Sequence, residues 1–327
     1  MVVVSTSRSL PATADDRAPD APARVAVLIP CFNDGALLDD ALNSLDHQEP
    51  CEVVVVDDGS TDPATARALA RAAERGVTVL RQFNAGPSRA RMRALAATSA
   101  PFVMGLDADD ELAPGALARL ADALDRDPTC DAVWGEVETF GAFCARRTMA
   151  RSVDPWAITY LNDLPAAALF RRAALEAIGG WSLDDGYEDW DLWMRFAGSG
   201  RRGRNVGGVF HRYRQNEAAS RRVSDTRQHG RLMGVLRARN AGLYASRGRN
   251  WRASPAPWGV RLGLPLVGAL PGVDEDRRFR WEHFVAKWFD PRWRLVVDGV
   301  EEPVGLRRVA GRLRRVAGRA ARRIARR

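Results

Sequence analysis

The sequence has few cysteines and lacks any long apolar run. Its four cysteines, among 327 residues, form neither a CxxC pair nor a metal-binding spacing. This excludes a disulfide framework and a cysteine-based metal site, and it favours a reducing, cytosolic compartment. No stretch reaches the roughly 18 uninterrupted apolar residues that a membrane-spanning helix needs. The best candidate, Val260 to Val273, is short and is broken by two prolines. We expect neither a membrane span nor a signal peptide.

The net charge of +8 is concentrated at the C-terminus. From residue 305 to the end there are ten arginines and no acidic residue, so the rest of the chain is close to neutral. Apolar residues recur in this tail at steps of three and four: Leu306, Val309, Leu313, Val316, Ala320 and Ile324. The pattern predicts a basic amphipathic helix. We expect it to bind an anionic membrane surface, because a nucleic-acid arm needs no apolar stripe. Docking on a protein is the alternative.

Composition and periodicity divide the chain into three parts. Residues 1–23 are rich in Pro, Ala, Asp and Ser and lack periodicity, which predicts a disordered leader. Residues 24–245 carry the patterns of one α/β domain. Residues 246–327 form a C-terminal extension, which we expect to be helical and to end in the basic helix.

Short apolar runs alternate with helical patterns in the first half of the chain. Runs at 25–30, 53–56, 77–80 and 103–106 are each followed by a turn and a helical pattern. Four such β-α units with short connections predict a doubly wound, mostly parallel sheet flanked by helices. The first run is not followed by the G-x-G-x-x-G of a dinucleotide-binding fold, which argues against NAD binding.

Carboxylates follow the fourth run, in the sequence DADDE at 107–111. Asp107 and Asp109 leave an extended chain on the same face, at a strand end where open α/β sheets bind ligands. Two carboxylates at one point suit Mg²⁺ or Mn²⁺ bound together with substrate phosphates. Acidic capping of the next helix is the alternative. Capping explains Asp110 and Glu111 well, but it explains Asp107 poorly.

A second acidic segment, at 184–196, also carries aromatic residues. Glu188 and Asp189 stand at the start of a predicted helix that has an aromatic face. Capping of the helix dipole explains part of this acidity. A carboxylate beside aromatic rings is also a common arrangement for binding and deprotonating a sugar hydroxyl.

These segments form five motifs in a fixed order along the chain. They are IPCFN (29–33), VVVDDGSTD (54–62), NAG (84–86), DADD (107–110) and GGW followed by EDWDLW (179–193). Over about residues 25–220, the chain resembles the family 2 glycosyltransferases. The resemblance implies the GT-A fold, a nucleotide-diphosphate sugar donor that is most often UDP-linked, transfer with inversion, and Mg²⁺ or Mn²⁺ as cofactor.

The resemblance also assigns roles to individual residues. Asp189 would be the general base, and Glu188 would orient the acceptor. Asp109 would bind the metal, with Asp107 contacting the ribose beside it. The nucleotide site would comprise Pro30, Asn33, Asp58, Asn84, Arg91 and Asp107. The acceptor would contact Trp181, Trp190 and Asp191. Tyr213 and Arg214 would belong to a segment that closes over the diphosphate.

Two positions depart from the family pattern. Met92 stands where the family has Asn after Ala-Arg, and Asn216 stands where it often has His. The third metal ligand therefore stays open, with only the lone His211 nearby. We expect a glycan or lipid-linked acceptor, no nucleic-acid partner, and a cytoplasmic location at or near the inner face of the plasma membrane. The alternatives are a sugar nucleotidyltransferase, although the Gly- and Arg-rich loop it needs is missing, and a non-enzymatic protein that binds anionic surfaces.

Overall fold

The computed structural model describes residues 22–142, 144–184, 186–215, 228–289, 294–297 and 300–303. Residues 1–21 and 304–327, with most of the predicted leader and the whole predicted basic helix, lie outside this range. The first elements are β1 (Val25–Cys31), α1 (Gly35–Leu45), β2 (Glu52–Asp57), α2 (Pro63–Glu74), β3 (Thr78–Arg81), α3 (Pro87–Ala96), β4 (Phe102–Gly105), β5 (Glu111–Leu112) and α4 (Ala116–Asp125).

The second part of the chain completes the sheet and adds helices. The elements are β6 (Ala132–Gly141), β7 (Ala145–Arg147), a 3₁₀ turn (Ala157–Thr159), β8 (Leu169–Arg171), α5 (Arg172–Ala177), α6 (Glu188–Gly198) and β9 (Gly203–Gln215). The helices α7 (His229–Arg239), α8 (Ala241–Ala245), α9 (Arg247–Ala253), α10 (Trp258–Gly268) and α11 (Glu275–Phe289) follow, with a hairpin of β10 (Arg294–Val297) and β11 (Val300–Pro303).

The predicted β-α units are present, and local chemistry explains where they begin. β1 is buried along almost all of its length, as its continuous apolar sequence predicts. α2 begins at Pro63, and the Asp62 side chain accepts hydrogen bonds from the first free backbone N–H groups. α6 begins with Glu188 and Asp189 in its first turn, where negative side chains interact favourably with the positive end of the helix dipole.

The strand order is β3-β2-β1-β4-β8-β6-β9-β5, with β7 paired to β6. β1 pairs in parallel with β2 and β4, and β2 pairs in parallel with β3. The rest of the sheet is mixed, because β8 runs antiparallel to both β4 and β6. The carboxyl ends of β1, β2 and β4 therefore lie at one edge, and this edge carries the acidic motifs.

Apolar side chains cover both faces of the sheet. On one face, the core includes Leu38 of α1, Leu69 of α2 and Leu117 of α4. The core on the other face is aromatic and includes Trp134, Phe170, Trp181, Trp190, Trp193 and Phe196. α6 thus packs its aromatic face onto the sheet, which fixes the acids at its first turn beside the strand ends. The four cysteines are free, as expected.

The helices of the extension pack onto the α/β domain. Trp156 and Tyr160, around the 3₁₀ turn, form a third core with residues of α10 and α11, among them Leu264 and Val285. α7 contributes Met233 to the aromatic core. In the described part of the chain, no helix combines the length and the apolar character needed to cross a membrane.

Candidate active site

A cleft of about 620 Å³ lies beside the carboxyl end of β4. Its lining includes Asp107, Arg147, Asn162, Tyr187, Glu188, Asp189, His211 and Tyr213. These residues come from the β4 end, β7, the loop after the 3₁₀ turn, the start of α6, and β9. The fold therefore brings the two acidic motifs, which are far apart in sequence, into one cavity of ligand-binding size.

Arg91, from α3, connects the two motifs beneath the cleft. Its buried guanidinium pairs with the Asp107 carboxylate and donates from Nη1 to Glu188 Oε1 at 3.3 Å. It also lies 5.7 Å from the ring centroid of Trp181. A Cβ atom at Gly105 would come within 3.3 Å of Arg91 Cδ, so glycine lets the side chain pass close to the strand. Burial opposes the charge of Arg91, but both carboxylates raise its pKa above the usual value.

Asp189 is held in place by hydrogen bonds at the cleft wall. Asn162 Nδ2 donates to Asp189 Oδ2 at 2.9 Å, and the backbone N–H of Trp190 donates to Oδ1 at 2.8 Å. Burial, together with the neighbouring charge of Glu188, raises the pKa of Asp189 to about 7. A carboxylate with this pKa is suited to accept a proton near neutral pH.

Asp109 and Asp110 lie directly after Asp107 and have different surroundings. Asp110 is buried, lies 2.7 Å from His211 Nε2, and accepts from the backbone N–H of Arg214 at 2.9 Å. Asp109 is partly exposed. Burial, followed by the charges of Asp110 and Asp107, raises the pKa of Asp109 to about 7. Carboxylates crowded in this way are stabilised by any cation that binds between them.

The donor chemistry of this site fits a divalent metal ion that is shared with a substrate. Among the described residues, no group of three His, Cys, Asp or Glu side chains could hold a metal by itself. Mg²⁺ and Mn²⁺ do not need such a group, because one or two carboxylates and substrate phosphates can complete their coordination. Asp109, with Asp107 beside it, would provide those carboxylates.

The residues predicted to line the nucleotide site shape the loops at the strand ends. Asp58 is buried and accepts from Gln82 Nε2 at 2.7 Å and from the backbone N–H groups of Ala85 and Gly86 at 2.8 and 2.9 Å. Asn33 Oδ1 accepts hydrogen bonds from the backbone N–H groups of Thr61 and Asp62. These contacts join the loops after β1, β2 and β3.

Three of the nucleotide-site residues lie at the surface of that edge. Asn33 and Asn84 are exposed, and Pro30 is half-buried near the end of β1. None of them lines the 620 Å³ cleft. Direct contact between these side chains and a nucleotide stays a prediction.

The structure buries the three residues that sequence analysis assigned to the acceptor. Trp181 and Trp190 are each 3% exposed, and Asp191 is 0% exposed. Trp190 Nε1 donates to a backbone carbonyl at 2.7 Å, and Asp191 accepts from Arg195 at 2.8 Å and from Arg239 at 3.0 Å. None of the three lines the cleft. The contacts of Trp190 and Asp191 hold α6 in place.

Tyr213 lines the cleft. Burial and the neighbouring carboxylates raise the pKa of Tyr213 to about 12. Its hydroxyl therefore stays protonated and can donate a hydrogen bond at neutral pH.

Arg214, by contrast, points into a network of protein contacts. Its guanidinium donates to Asp40 at 2.8 Å, to Glu111 at 3.1 Å and to the backbone carbonyl of Asp109 at 2.8 Å. These contacts fasten the Asp109 loop to α1. Residues 216–227, which hold the remainder of the predicted closing segment, lie outside the described residues.

The cleft residues that the sequence analysis did not predict include Asn162 and Arg147. Burial lowers the pKa of Arg147, while Tyr213 and Asp163 oppose this shift. No local motif marks either residue. Arg147 reaches the site through the pairing of β7 with β6, and Asn162 reaches it through the loop after the 3₁₀ turn. The unusual Met92 has a packing role: a Cβ atom on Gly180 would lie 2.3 Å from its sulfur.

The sequence matches a known family, and the fold matches solved structures. Residues 26–179 match the model of glycosyl transferase family 2. The succinoglycan biosynthesis protein ExoU of Rhizobium meliloti is 41% identical over 105 residues, which cover 31% of this chain and 30% of that protein. The GalNAc(5)-diNAcBac-PP-undecaprenol beta-1,3-glucosyltransferase of Campylobacter jejuni is 34% identical over 102 residues, which cover 30% of this chain and 33% of that protein. The chain thus spans about a third of the length of these curated relatives.

Two solved structures share the arrangement of the sheet and its helices. S. aureus TarS in complex with UDP-GlcNAc has a TM-score of 0.54 at 18% identity, covering 86% of this chain and 96% of that one. The mannosyltransferase PcManGT from Pyrobaculum calidifontis, in complex with GDP-Man and Mn²⁺, has a TM-score of 0.50 at 23% identity, covering 84% and 88%. These structures show the fold to be GT-A. Over residues 26–179 the chain therefore matches glycosyl transferase family 2, and it has the GT-A fold.

Proposed function

We propose that the chain transfers a sugar from a nucleotide-diphosphate sugar to an acceptor hydroxyl, with inversion at the anomeric carbon. The observation that carries this proposal is the position of Asp189. It lies in the same cleft as Asp107, it is held by Asn162, and its pKa is raised to about 7. Asp107 belongs to the acidic loop after β4, so the cleft joins a proton acceptor to the loop proposed to hold the donor.

Asp189 acts as the general base in this mechanism. Its carboxylate takes the proton of the acceptor hydroxyl as the oxygen attacks the anomeric carbon, on the face opposite the leaving diphosphate. Such a base contributes about 10²–10⁴-fold in rate. Glu188 orients the acceptor, and Asn162 keeps Asp189 in position. The Trp190 side chain of α6 is buried in the core, where it anchors the helix that carries Asp189.

Asp109 and Asp107 would hold a divalent cation together with the diphosphate of the donor. When bound, the cation neutralises the negative charge that develops on the leaving nucleotide. Arg91 keeps Asp107 and Glu188 at a fixed separation, because one guanidinium contacts both. Pro30, Asn33, Asp58 and Asn84 form the nucleotide side of the site. One structural relative was solved with UDP-GlcNAc and the other with GDP-Man and Mn²⁺, which supports this donor class.

The acceptor is a glycan or a lipid-linked sugar in this proposal. The name of the Campylobacter relative specifies an undecaprenol-diphosphate-linked acceptor, and that of the Rhizobium relative specifies succinoglycan biosynthesis. Both support a role in building cell-envelope polysaccharide. We place the chain at the cytoplasmic face of the membrane, where such lipids are available. A nucleotidyltransferase would leave the well-positioned Asp189 without a role.

A panel of sugar nucleotides tests the proposed donor class. UDP-, GDP- and dTDP-sugars are added to the full chain with and without Mn²⁺, and the thermal unfolding midpoint is measured. A ligand that binds only the native state raises this midpoint. We expect one nucleotide class to do so, and only with the metal. A panel in which no sugar nucleotide raises the midpoint would reject the proposal.

A further inference from the structure

A second cavity, of about 280 Å³, lies between the extension and the α/β domain. Among the described residues, the basic and acidic side chains of its lining are His229 and Arg237 of α7, Arg247 of α9, and Arg278 and Glu282 of α11. Among the described residues of this lining, three arginines face a single carboxylate. The cavity therefore has an excess of positive charge, which favours a ligand with more than one negative charge.

An apolar groove of about 640 Å³ continues directly from this cavity. The two share Tyr160, Arg247, Pro265 and Ala269 in their linings. Further along the groove, Leu262 and Leu266 of α10 are 53% and 68% exposed. Large apolar side chains exposed together along one groove are typical of a surface that binds an apolar partner.

Arg247 lies at the junction between the cationic cavity and the apolar groove. Its guanidinium carbon is 3.6 Å from the ring centroid of Tyr160, so the ring fixes its position. Its Nε atom is buried and has no hydrogen-bond partner among the described residues. A buried donor of this kind normally has an acceptor, and an anionic oxygen in the cavity would provide one.

The cavity is separated from the catalytic cleft by one pair of side chains. His229 lines the cavity, and its Nδ1 atom lies 2.9 Å from the hydroxyl oxygen of Tyr187. Tyr187 in turn lines the cleft that contains Asp189. A molecule bound in the cavity would therefore be next to the acceptor side of the active site.

We propose that this composite site binds the lipid phosphate that carries the acceptor sugar. The cationic cavity holds the phosphate or diphosphate, and the apolar groove holds the first part of the isoprenoid chain. The exposed leucines face the membrane from which the lipid comes. This inference rests on the proposed function and names the carrier of its acceptor. Charge and polarity support it, since three arginines line the cavity, whereas the groove is lined mainly by apolar side chains, with Arg247 and Arg261 among them.

Binding of farnesyl diphosphate to the full chain tests the proposal. The titration is done in EDTA, so that the acidic donor site has no metal with which to bind a diphosphate. Farnesol, inorganic diphosphate and phosphatidylglycerol vesicles are titrated in parallel. We expect farnesyl diphosphate to bind at least tenfold more tightly than farnesol or diphosphate alone. If farnesol or inorganic diphosphate binds as tightly as farnesyl diphosphate, the proposed composite site is wrong. Vesicles that displace farnesyl diphosphate completely would show a general lipid surface instead, and would also overturn it.

Matched variants assign the binding to this site. Arg247→Gln and Leu266→Asp should each weaken farnesyl diphosphate binding at least fivefold. Arg249→Gln, on the exposed side of the same helix, should leave it unchanged. Equal effects of Arg247→Gln and Arg249→Gln would reject the assignment. Donor binding with Mn²⁺ is measured on the same samples. If donor binding is retained while the lipid phosphate does not bind, this inference fails alone. If no donor binds, the proposed function fails.

Discussion

Asn162 Nδ2 donates a 2.9 Å hydrogen bond to Asp189 Oδ2, and this contact joins the loop after the 3₁₀ turn to the first turn of α6. It leaves Asp189 with one oxygen held by a side-chain amide and the other by a backbone amide. The carboxylate therefore has little freedom to rotate. A base held in this way reaches the acceptor proton without first losing conformational entropy.

Asn162→Ala should lower kcat by about 10- to 100-fold, because a hydrogen bond to a charged group contributes about 1.5–3 kcal/mol. The KM for the donor should stay the same, since Asn162 lies on the acceptor side. Asn162→Asp would place a second negative charge beside Asp189, so it should move the acid limb of the pH profile to higher pH. Asn43→Ala, on the exposed face of α1, is the control. An unchanged kcat in Asn162→Ala would contradict the positioning role.

The pH dependence of transfer should follow the raised pKa of Asp189. A general base must be deprotonated, so kcat/KM should fall as the pH drops below about 7, measured at saturating Mn²⁺. Besides burial, the charge of Glu188 raises this pKa. Glu188→Gln should therefore move the acid limb to lower pH, even though the rate itself decreases. If kcat/KM of the unmodified protein falls only near pH 4, Asp189 is not the base that titrates.

Arg91→Gln should destabilise the fold by about 2–4 kcal/mol, because it leaves Asp107 and Glu188 next to each other without their shared cation. Urea unfolding measures the change. Arg89→Gln is a matched control on the same helix, since its ion pair with Asp184 is exposed and should contribute within about 1 kcal/mol. Equal losses in the two variants would contradict the role given to Arg91.

Asp109→Ala should weaken metal-dependent binding of the donor and leave the weaker metal-free binding unchanged. The reason is that Asp109 provides a carboxylate for the cation that joins the diphosphate to the protein. Titrations with and without Mn²⁺ separate the two contributions. Glu74→Ala, at the exposed end of α2, controls for a general loss of negative charge. If Mn²⁺ still strengthens donor binding to Asp109→Ala as much as before, the metal role is wrong.

The fold could be predicted from sequence because its signals are local. Continuous apolar runs identify buried parallel strands, and the acids after them mark the carboxyl edge of the sheet. The doubly wound sheet was predicted in this way, whereas the GT-A fold was implied by the family resemblance. The match over residues 26–179 and the solved structures confirm that resemblance and the fold. The antiparallel pairing of β8 with β4 and β6 was not foreseen, since it depends on contacts between distant parts of the chain.

The acceptor side shows where local reasoning fails. Asp189 and Asp191 are two residues apart on a helix, and hence about 200° apart around its axis. Once Asp189 faces the cleft, Asp191 must face the core, where Arg195 and Arg239 neutralise it. Helical spacing alone could have predicted that Asp189 and Asp191 lie on different faces of α6. Asn162 had no such signal, because its contact with Asp189 spans 27 positions and an irregular loop. The leader and the basic tail stay predictions.

The most direct test of the account is Asp189→Asn, compared with the unmodified chain for both donor binding and transfer. Asparagine keeps the size of the side chain but cannot take a proton. We predict that isothermal titration with the preferred sugar nucleotide and Mn²⁺ gives an unchanged affinity, while transfer falls by about 10²–10⁴-fold. Retained transfer, or loss of donor binding together with transfer, would contradict the assignment of Asp189 as the base.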